Sequence, residues 1–425
     1  MRTLAFCLCA LFMLVSLSAR AEWKGSEETV DGVLTIHNPA TPAQGELVLK
    51  LKPLFSLGGE SDDPNQLFGM VQQILVDEEH NTYLLDQQLH EIKVFDAKGE
   101  YLRTIGRKGE GPGEFNNPNA MFFLPGSRIG VSQMMPGRIA VLDEQGQGLD
   151  DYPIPGEGGF VLVAQVESAA DRVVMQETVG SFTSGKVKNI NRLLALDGSG
   201  KELLSYGEEV KEMDVSGGRM RINMGDETFA REWAVGPQGR VFAVNERTDY
   251  KIQVYGLDGR IERTIERDYE PLAFTDEEKA ERKKRMDENS EAQGMDIDAE
   301  LPDYKPDVQG LFVRSNGELW VRTSRSVGED GGLGSFDVYD AQGHFQYLVK
   351  PQLAYVDSED GFVLTKDRFY RIKELNGALK AWAAGFGGGI RIAVDTEDED
   401  EDGGEPEPLK ILAFELPLEL SQMRK

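Results

Sequence analysis

The sequence predicts an all-β protein: a six-bladed β-propeller of four-stranded blades, closed by its N-terminal strand and carrying one helical insertion. Three observations predict it. The first is a recurring run of one shape: HEIKVFDAKGE (90–100), GRIAVLDEQGQ (137–147), NRLLALDGSGK (191–201), YKIQVYGLDGR (250–260), GSFDVYDAQGH (334–344) and PLKILAFELPL (408–418). The first five alternate apolar and other residues, then reach Asp or Gly and a Gly-containing turn. That is a strand entering a hairpin, because Asp bonds its own backbone and Gly supplies a positive φ. The sixth keeps the strand and lacks the turn. The second observation is a further strand-like segment before each run: NTYLLD (81–86), SRIGVS (127–132), DRVVMQ (171–176), GRVFAVN (239–245), GELWVR (317–322) and GIRIAVD (389–395). The third is spacing. The turn residues Asp96, Asp143 and Asp197 are 47 and 54 residues apart, near the period of a four-stranded blade. The 47 glycines among 425 residues exceed the usual share of about 7% and suit a chain of many tight turns.

Each unit therefore reads as antiparallel strands A to D, the runs above being B and C. Stretches such as YLRTIG (101–106) and RIERTIE (260–266) supply D. The last unit ends at its C strand. Its missing D strand is available near the other end of the chain, in ELVLKLKPLFSLGG (46–59), which would close the ring and remove its free edges. The propeller is expected over 46–418, after a 22–45 extension and before a 419–425 tail.

Two segments interrupt the repeat. TDEEKAERKKRMDENSEAQ (275–293), within an insertion of about 275–307, has Thr275 as N-cap and Glu278 three residues later, and lacks an apolar face. It predicts a solvated surface helix, with five basic residues as an available docking patch. The stretch 395–407 holds nine acids in thirteen residues and predicts a loop kept open by self-repulsion.

Residues 1–21 read as a signal peptide. A positive start precedes an apolar run of 14 residues from Leu4 to Leu17, and Ala19-Arg20-Ala21 offers a cleavage site before Glu22. The run is shorter than the roughly 20 residues of a membrane-spanning helix. Both cysteines, Cys7 and Cys9, lie inside it and lack the small preceding residues of a lipid-anchored cysteine. The mature chain is expected to be exported, periplasmic or secreted, without a transmembrane segment and monomeric. With 46 basic and 74 acidic residues the net charge is −28, which argues against nucleic acid or an anionic membrane as partner.

The repeat units resemble those of six-bladed propellers of the NHL/TolB-like type, in an exported bacterial branch with a GEGPGEF phrase. Here that phrase stands in GRKGEGPGEFNNP (106–118), and the likeness spans roughly 46–418. The resemblance implies the fold and no single reaction.

In this topology the D-to-A loops and B-to-C corners share one face. The long segments 106–119, 207–228, 275–307 and 395–407 all fall there, so this is the expected working face. One polar residue ends each B strand: Asp86, Ser132, Gln176, Asn245, Arg322 and Asp395. They are the candidate ligand-binding residues, with Arg322 suited to a carboxylate or phosphate. No catalytic residue or cofactor is assigned. A divalent ion in the central channel belongs to an alternative, a lactonase-like metal-dependent hydrolase or lyase using Asp86, Asn245 and Asp395. Of the four histidines, His37, His80, His90 and His344, none is placed on the working face, which disfavours histidine-held zinc or copper. The Asp398-x-Asp400-x-Asp402-Gly403 stretch opens like a calcium loop, but its twelfth position is Leu409. The primary expectation is a binding or scaffolding propeller for a protein, peptide, glycan or small ligand.

Overall fold

The computed structural model describes residues 22–420 apart from 134–136, 156–159, 184, 216–218, 224–228, 293–295, 329–331 and 380–406. The predicted signal peptide, Asp395, the calcium-like stretch up to Gly403 and nearly all of the acidic loop lie outside the described residues.

Six sheets form the ring. Blade I is the simplest, with A to D at Val71–Val76, Thr82–Asp86, Glu91–Phe95 and Tyr101–Ile105. Blade II keeps three regular strands. Its fourth position is an irregular return along the C strand, through Leu149 N–H to the Val141 carbonyl (2.8 Å) and Tyr152 N–H to that of Ile139 (2.9 Å). Blade III is the tallest: its C and D strands, Lys186–Leu196 and Glu202–Asp214, rise well above those of its neighbours. The C–D turn glycines Gly99, Gly146, Gly200, Gly259 and Gly343 all have positive φ, from 79° to 98°. At Gly99 a Cβ would in addition stand 2.8 Å from the Phe55 ring.

The second half of the expected 46–59 segment closes the ring, and its first half does not take part. Lys52–Gly58 pairs antiparallel with Lys410–Glu415 and supplies the D strand of blade VI. The B strand of that blade differs from expectation. It is Arg368–Lys373, which pairs with both Gly361–Leu364 and Lys410–Glu415, not the GIRIAVD segment, which lies among the undescribed residues. The turn before Arg368 is held by the Thr365 hydroxyl, which accepts from the Arg368 amide, so it lacks the Gly that marks the C–D turns.

The N-terminal extension, expected to lie outside the propeller, is built into it. Ser26–Val30 and Val33–Asn38 form a hairpin around Asp31 (φ 51°) and Gly32 (φ 84°), the left-handed pair a two-residue turn demands. Val33–Asn38 then pairs parallel with the D strand of blade IV, Ile261–Arg267. Glu46–Lys50, expected as the start of the closing strand of blade VI, instead pairs parallel with the D strand of blade V, Phe345–Gln352. One N-terminal stretch thus straps blades IV, V and VI in turn. Asn38 pins it at the first junction, donating to the Glu266 and Gly343 carbonyls and accepting from the Phe345 amide.

The core is divided among the junctions. Six buried apolar clusters lie one between each pair of neighbouring blades, VI to I included. The ring is held by blade-to-blade burial rather than by a central core.

The insertion holds the predicted helix, Asp276–Ala292. Thr275 and Glu278 form the reciprocal cap: the Glu278 amide donates to Thr275 Oγ1 (3.1 Å) and the Thr275 amide to Glu278 Oε2 (2.7 Å). After the helix, Asp296–Glu300 pairs parallel with Arg219–Asn223.

Candidate functional site

Four of the predicted B-strand residues serve the fold. Asp86 is fully buried, and its carboxylate accepts from the amides of Gly69, Met70, Gln88 and Leu89 at 2.7–3.2 Å. Ser132, also fully buried, donates to Asn119 Oδ1 (3.0 Å). Gln176 joins blade III to IV, donating to the Ala230 carbonyl and accepting from Trp233 Nε1. Asn245 accepts from the Ala230 amide (2.8 Å) and donates to Gln253 Oε1 (2.8 Å). These side chains do not form one polar ring. Asp86, Ser132 and Asn245 close corners of their own blades, and Gln176 ties blade III to blade IV.

Arg322 is different. Its guanidinium pairs with Asp357 at 2.7 Å, stands over the Phe362 ring at 5.1 Å, and keeps its Nε buried without a hydrogen-bond partner. It lines a cleft of about 1390 Å³. The lining comes from D-to-A and B-to-C segments of blades IV, V and VI and from the helical insertion, so the cleft opens on the face singled out by topology.

The chemistry of this cleft opposes that of the chain. Blade IV contributes Arg231 and Arg247, the insertion Arg282, Arg285 and Lys305, and blade V Arg322 and Arg325. Against these seven cations stand, among the described lining residues, five carboxylates, Glu232, Glu278, Glu281, Asp357 and Asp360, a balance of 7 − 5 = +2 for those residues. Three of the acids have partners. Glu278 is held by the helix cap and Lys305, Asp357 by Arg322, and Asp360 by Arg371 Nε at 2.8 Å. Arg282 and Lys305 both stand over the Phe274 ring, at 4.5 and 5.5 Å, which fixes two flexible cations by cation–π contact.

Arg247 sits under the like charges of two neighbours. Burial, then the charges of Arg231 and Arg282, lowers its pKa below the usual arginine value. Arg231 is likewise lowered by burial, and its Nε is buried without a hydrogen-bond partner. Arg247 and Arg282 also have partners of their own, and an anion seated beside the group would add a further counter-charge. Beside them, burial pushes the Glu232 pKa up to about 7 against the opposing pull of Arg231, with no hydrogen bond contributing. Glu232 opens the A strand of blade IV, Glu232–Val235.

The 106–119 loop, expected at the rim, does not line this cleft. It packs onto blades I and II. Phe115 is fully buried, a Cβ on Gly106 would meet its ring at 2.3 Å, and Glu114 ties Arg107 (2.7 Å) to the Gly111 amide (3.0 Å). The GEGPGEF phrase is thus bonded to itself and to Arg138 of blade II, which donates to the Glu114 and Gly111 carbonyls.

His90, expected away from the working face, stands on it. It ends the B-to-C corner of blade I, and a C strand begins where a B strand ends. It is 8% exposed and its Nδ1 lies 2.9 Å from the Gln88 carbonyl, inside the corner that Asp86 organises. Among the described residues no group of three or more His, Cys, Asp or Glu is placed to hold a metal ion, and Asp86 and Asn245 are committed to protein partners.

Comparison with known proteins agrees on architecture. A family model described as a 6-bladed beta-propeller, DUF5128, matches residues 62–135. No curated protein matches the sequence. Among solved structures, a DUF4221 family member from Bacteroides vulgatus is 12% identical at a TM-score of 0.46, covering 86% of this chain and 97% of its own. Regucalcin from Agrobacterium tumefaciens, a calcium-binding protein, is 10% identical at 0.38, covering 88% and 97%. Virginiamycin B lyase from Staphylococcus aureus is 8% identical at 0.39, covering 76% and 96%. At these values the chemistries of those proteins do not transfer. This chain is a six-bladed β-propeller. Among its described residues no helix is long and apolar enough to cross a membrane.

Proposed function

We propose that this chain is an exported binding propeller of the NHL/TolB-like type that holds an anionic ligand in the cleft between blades IV, V and VI. The observation that carries the reading is the gathering of seven basic groups in one cleft of a chain whose net charge is −28. Burial makes such a gathering of cations costly to the fold, and an anion would offset part of that cost. Export rests on the N-terminal segment of the sequence. The same face carries the helical insertion, and rigid scaffolds commonly carry binding groups on such loops.

Calorimetric titration with citrate tests the reading. The wild type should show a site, weakened at least tenfold, about 1.4 kcal/mol, in Arg322→Ala and in Arg231→Ala. Equal citrate affinity in all three proteins would contradict it.

A further inference from the structure

Arg322 stands in the cleft with its binding edge half used. Nε and Nη2 form one edge of a guanidinium, which takes a carboxylate through two parallel N–H···O bonds. At Arg322 one Asp357 oxygen accepts from Nη2 (2.7 Å), while Nε is buried without a hydrogen-bond partner. A buried donor left unpaired is costly.

The backbone around Asp357 is fixed and its side chain is not. The buried Asp360 carboxylate accepts from the Val356 amide (2.9 Å) and from Arg371 Nε (2.8 Å), and Asn376 donates to the Ser358 carbonyl (2.8 Å). The Asp357 carboxylate is partly exposed and bonded to Arg322, so a side-chain rotation is enough to free the edge.

The surroundings are apolar. Arg322 stands over the Phe362 ring at 5.1 Å, and that ring is held by a parallel stack on Phe369 (5.7 Å). Val327, in the corner that Arg322 opens, and Val356, next to Asp357, are 42% and 40% exposed, and both line the cleft. A lone exposed valine needs no explanation. Here two of them flank one arginine and leave uncovered apolar surface beside a charged edge.

We propose, resting on the anion-binding reading above, that the anion is the carboxylate of an apolar organic acid. It takes the Nε–Nη2 edge of Arg322 by displacing the Asp357 side chain, and its body covers Val327, Val356 and the Phe362 ring. Two carboxylates on one edge repel, so the ligand replaces Asp357 rather than joining it. Asp357 is thus an internal stand-in that sets the affinity an acid must exceed. Polar side chains of the same wall are already engaged, Asp360 and Asn376 with the loop and Ser324 with the Pro306 carbonyl. A peptide end brings backbone amides that these groups do not serve, which favours a free acid.

The test is calorimetric titration of the full mature chain with acetate, octanoate, 3-phenylpropionate, acetyl-Ala-Ala-Phe and citrate. Octanoate or 3-phenylpropionate should bind at least tenfold tighter than acetate, and tighter than the tripeptide. Asp357→Asn, which keeps the side chain's shape and removes its charge, should raise that affinity at least threefold. Arg322→Lys, which keeps the charge and loses the fork, should lower it at least tenfold. Val356→Ser should lower it at least threefold and leave citrate affinity within a factor of two. Octanoate and 3-phenylpropionate no tighter than acetate, a tripeptide as tight as either, or no rise in affinity from Asp357→Asn would overturn the inference. Asp357→Asn alters a partly exposed group, so this arm holds even where Arg322→Lys fails to fold. Citrate binding that still depends on Arg231 and Arg322 in those cases leaves the anion reading standing. Loss of that dependence would remove both readings.

Discussion

Blades I to III and blades IV to VI are built from the same repeat, yet they treat their working-face ends in opposite ways. In the first half the polar residues at the strand ends are consumed locally: Asp86 by four backbone amides, Ser132 by Asn119, Gln176 by Trp233 and Ala230. The loop between blades I and II folds onto itself around Phe115. In the second half Asn245 is likewise bonded, to Ala230 and Gln253, but the region around it opens into a cleft where Arg231 and Arg322 each leave a buried Nε without a partner. That half is also the one reinforced from outside, by the N-terminal hairpin on blade IV, a fifth strand on blade V and the closing strand on blade VI. The difference teaches a division of labour. Polar groups satisfied by the protein stabilise it, whereas groups left short are held in place by structure elsewhere, and the strap supplies that structure on the side where the cleft lies.

The largest expected effect separates the parts of the strap. Removing residues up to Gly58 takes away the D strand of blade VI and bares three edges, on blades IV, V and VI, so gel filtration should show aggregation or calorimetry a collapse of the melting transition. Removing residues only up to Asn38 strips the hairpin from an intact blade IV and should leave a folded monomer with a modestly lower Tm. Equal behaviour of the two truncations would break the closure assignment.

Next in size is a contrast between halves. Asp86→Ala removes a fully buried carboxylate that accepts from four amides, that of Met70 buried and the other three part-buried, and should cost about 2–4 kcal/mol in urea unfolding. Arg231→Ala removes a desolvated charge that its neighbours repel and should change stability by no more than about 1 kcal/mol, or raise it. If Arg231→Ala proves the more damaging, the cleft is a structural element and the comparison fails.

The smallest effect is a pH slope. Folded Glu232 keeps its proton until about pH 7, whereas in the unfolded chain it loses it near the usual glutamate value of about 4.3. Between those values the folded state binds more protons, so stability falls as pH rises through the window. Glu232→Gln should match the wild type near pH 4 and exceed its stability at pH 8 by about 1–3 kcal/mol. Parallel stability curves for the two proteins would place Glu232 in water rather than in the cleft wall.

Much of the fold is legible in the sequence because it repeats. Five of six B strands, all six C strands, the helix cap at Thr275 and the closing strand follow from alternation, turn chemistry and one missing element. The sixth B strand is hidden because GIRIAVD imitates the pattern, while Arg368–Lys373 follows a turn built on a Thr hydroxyl. The N-terminal hairpin does carry a signal, the Asp31-Gly32 pair between strand-like segments, which marks a two-residue turn. The cleft carries almost none. Arg231, Arg247 and Arg282 belong to different loops, and only the closed ring brings them together. Arg322 is found because it ends a strand, and the same rule also selects Asp86 and Ser132, which are wholly internal.

The most direct measurement of the central claim is hydrogen exchange of the mature chain with and without saturating citrate. Protection should concentrate in 229–247, 272–285 and 322–328, the segments of blades IV and V and of the insertion that carry the cleft's guanidinium groups, and leave blades I to III unchanged. Protection centred on the 106–119 loop or on the A–B hairpins of the opposite face would contradict the account.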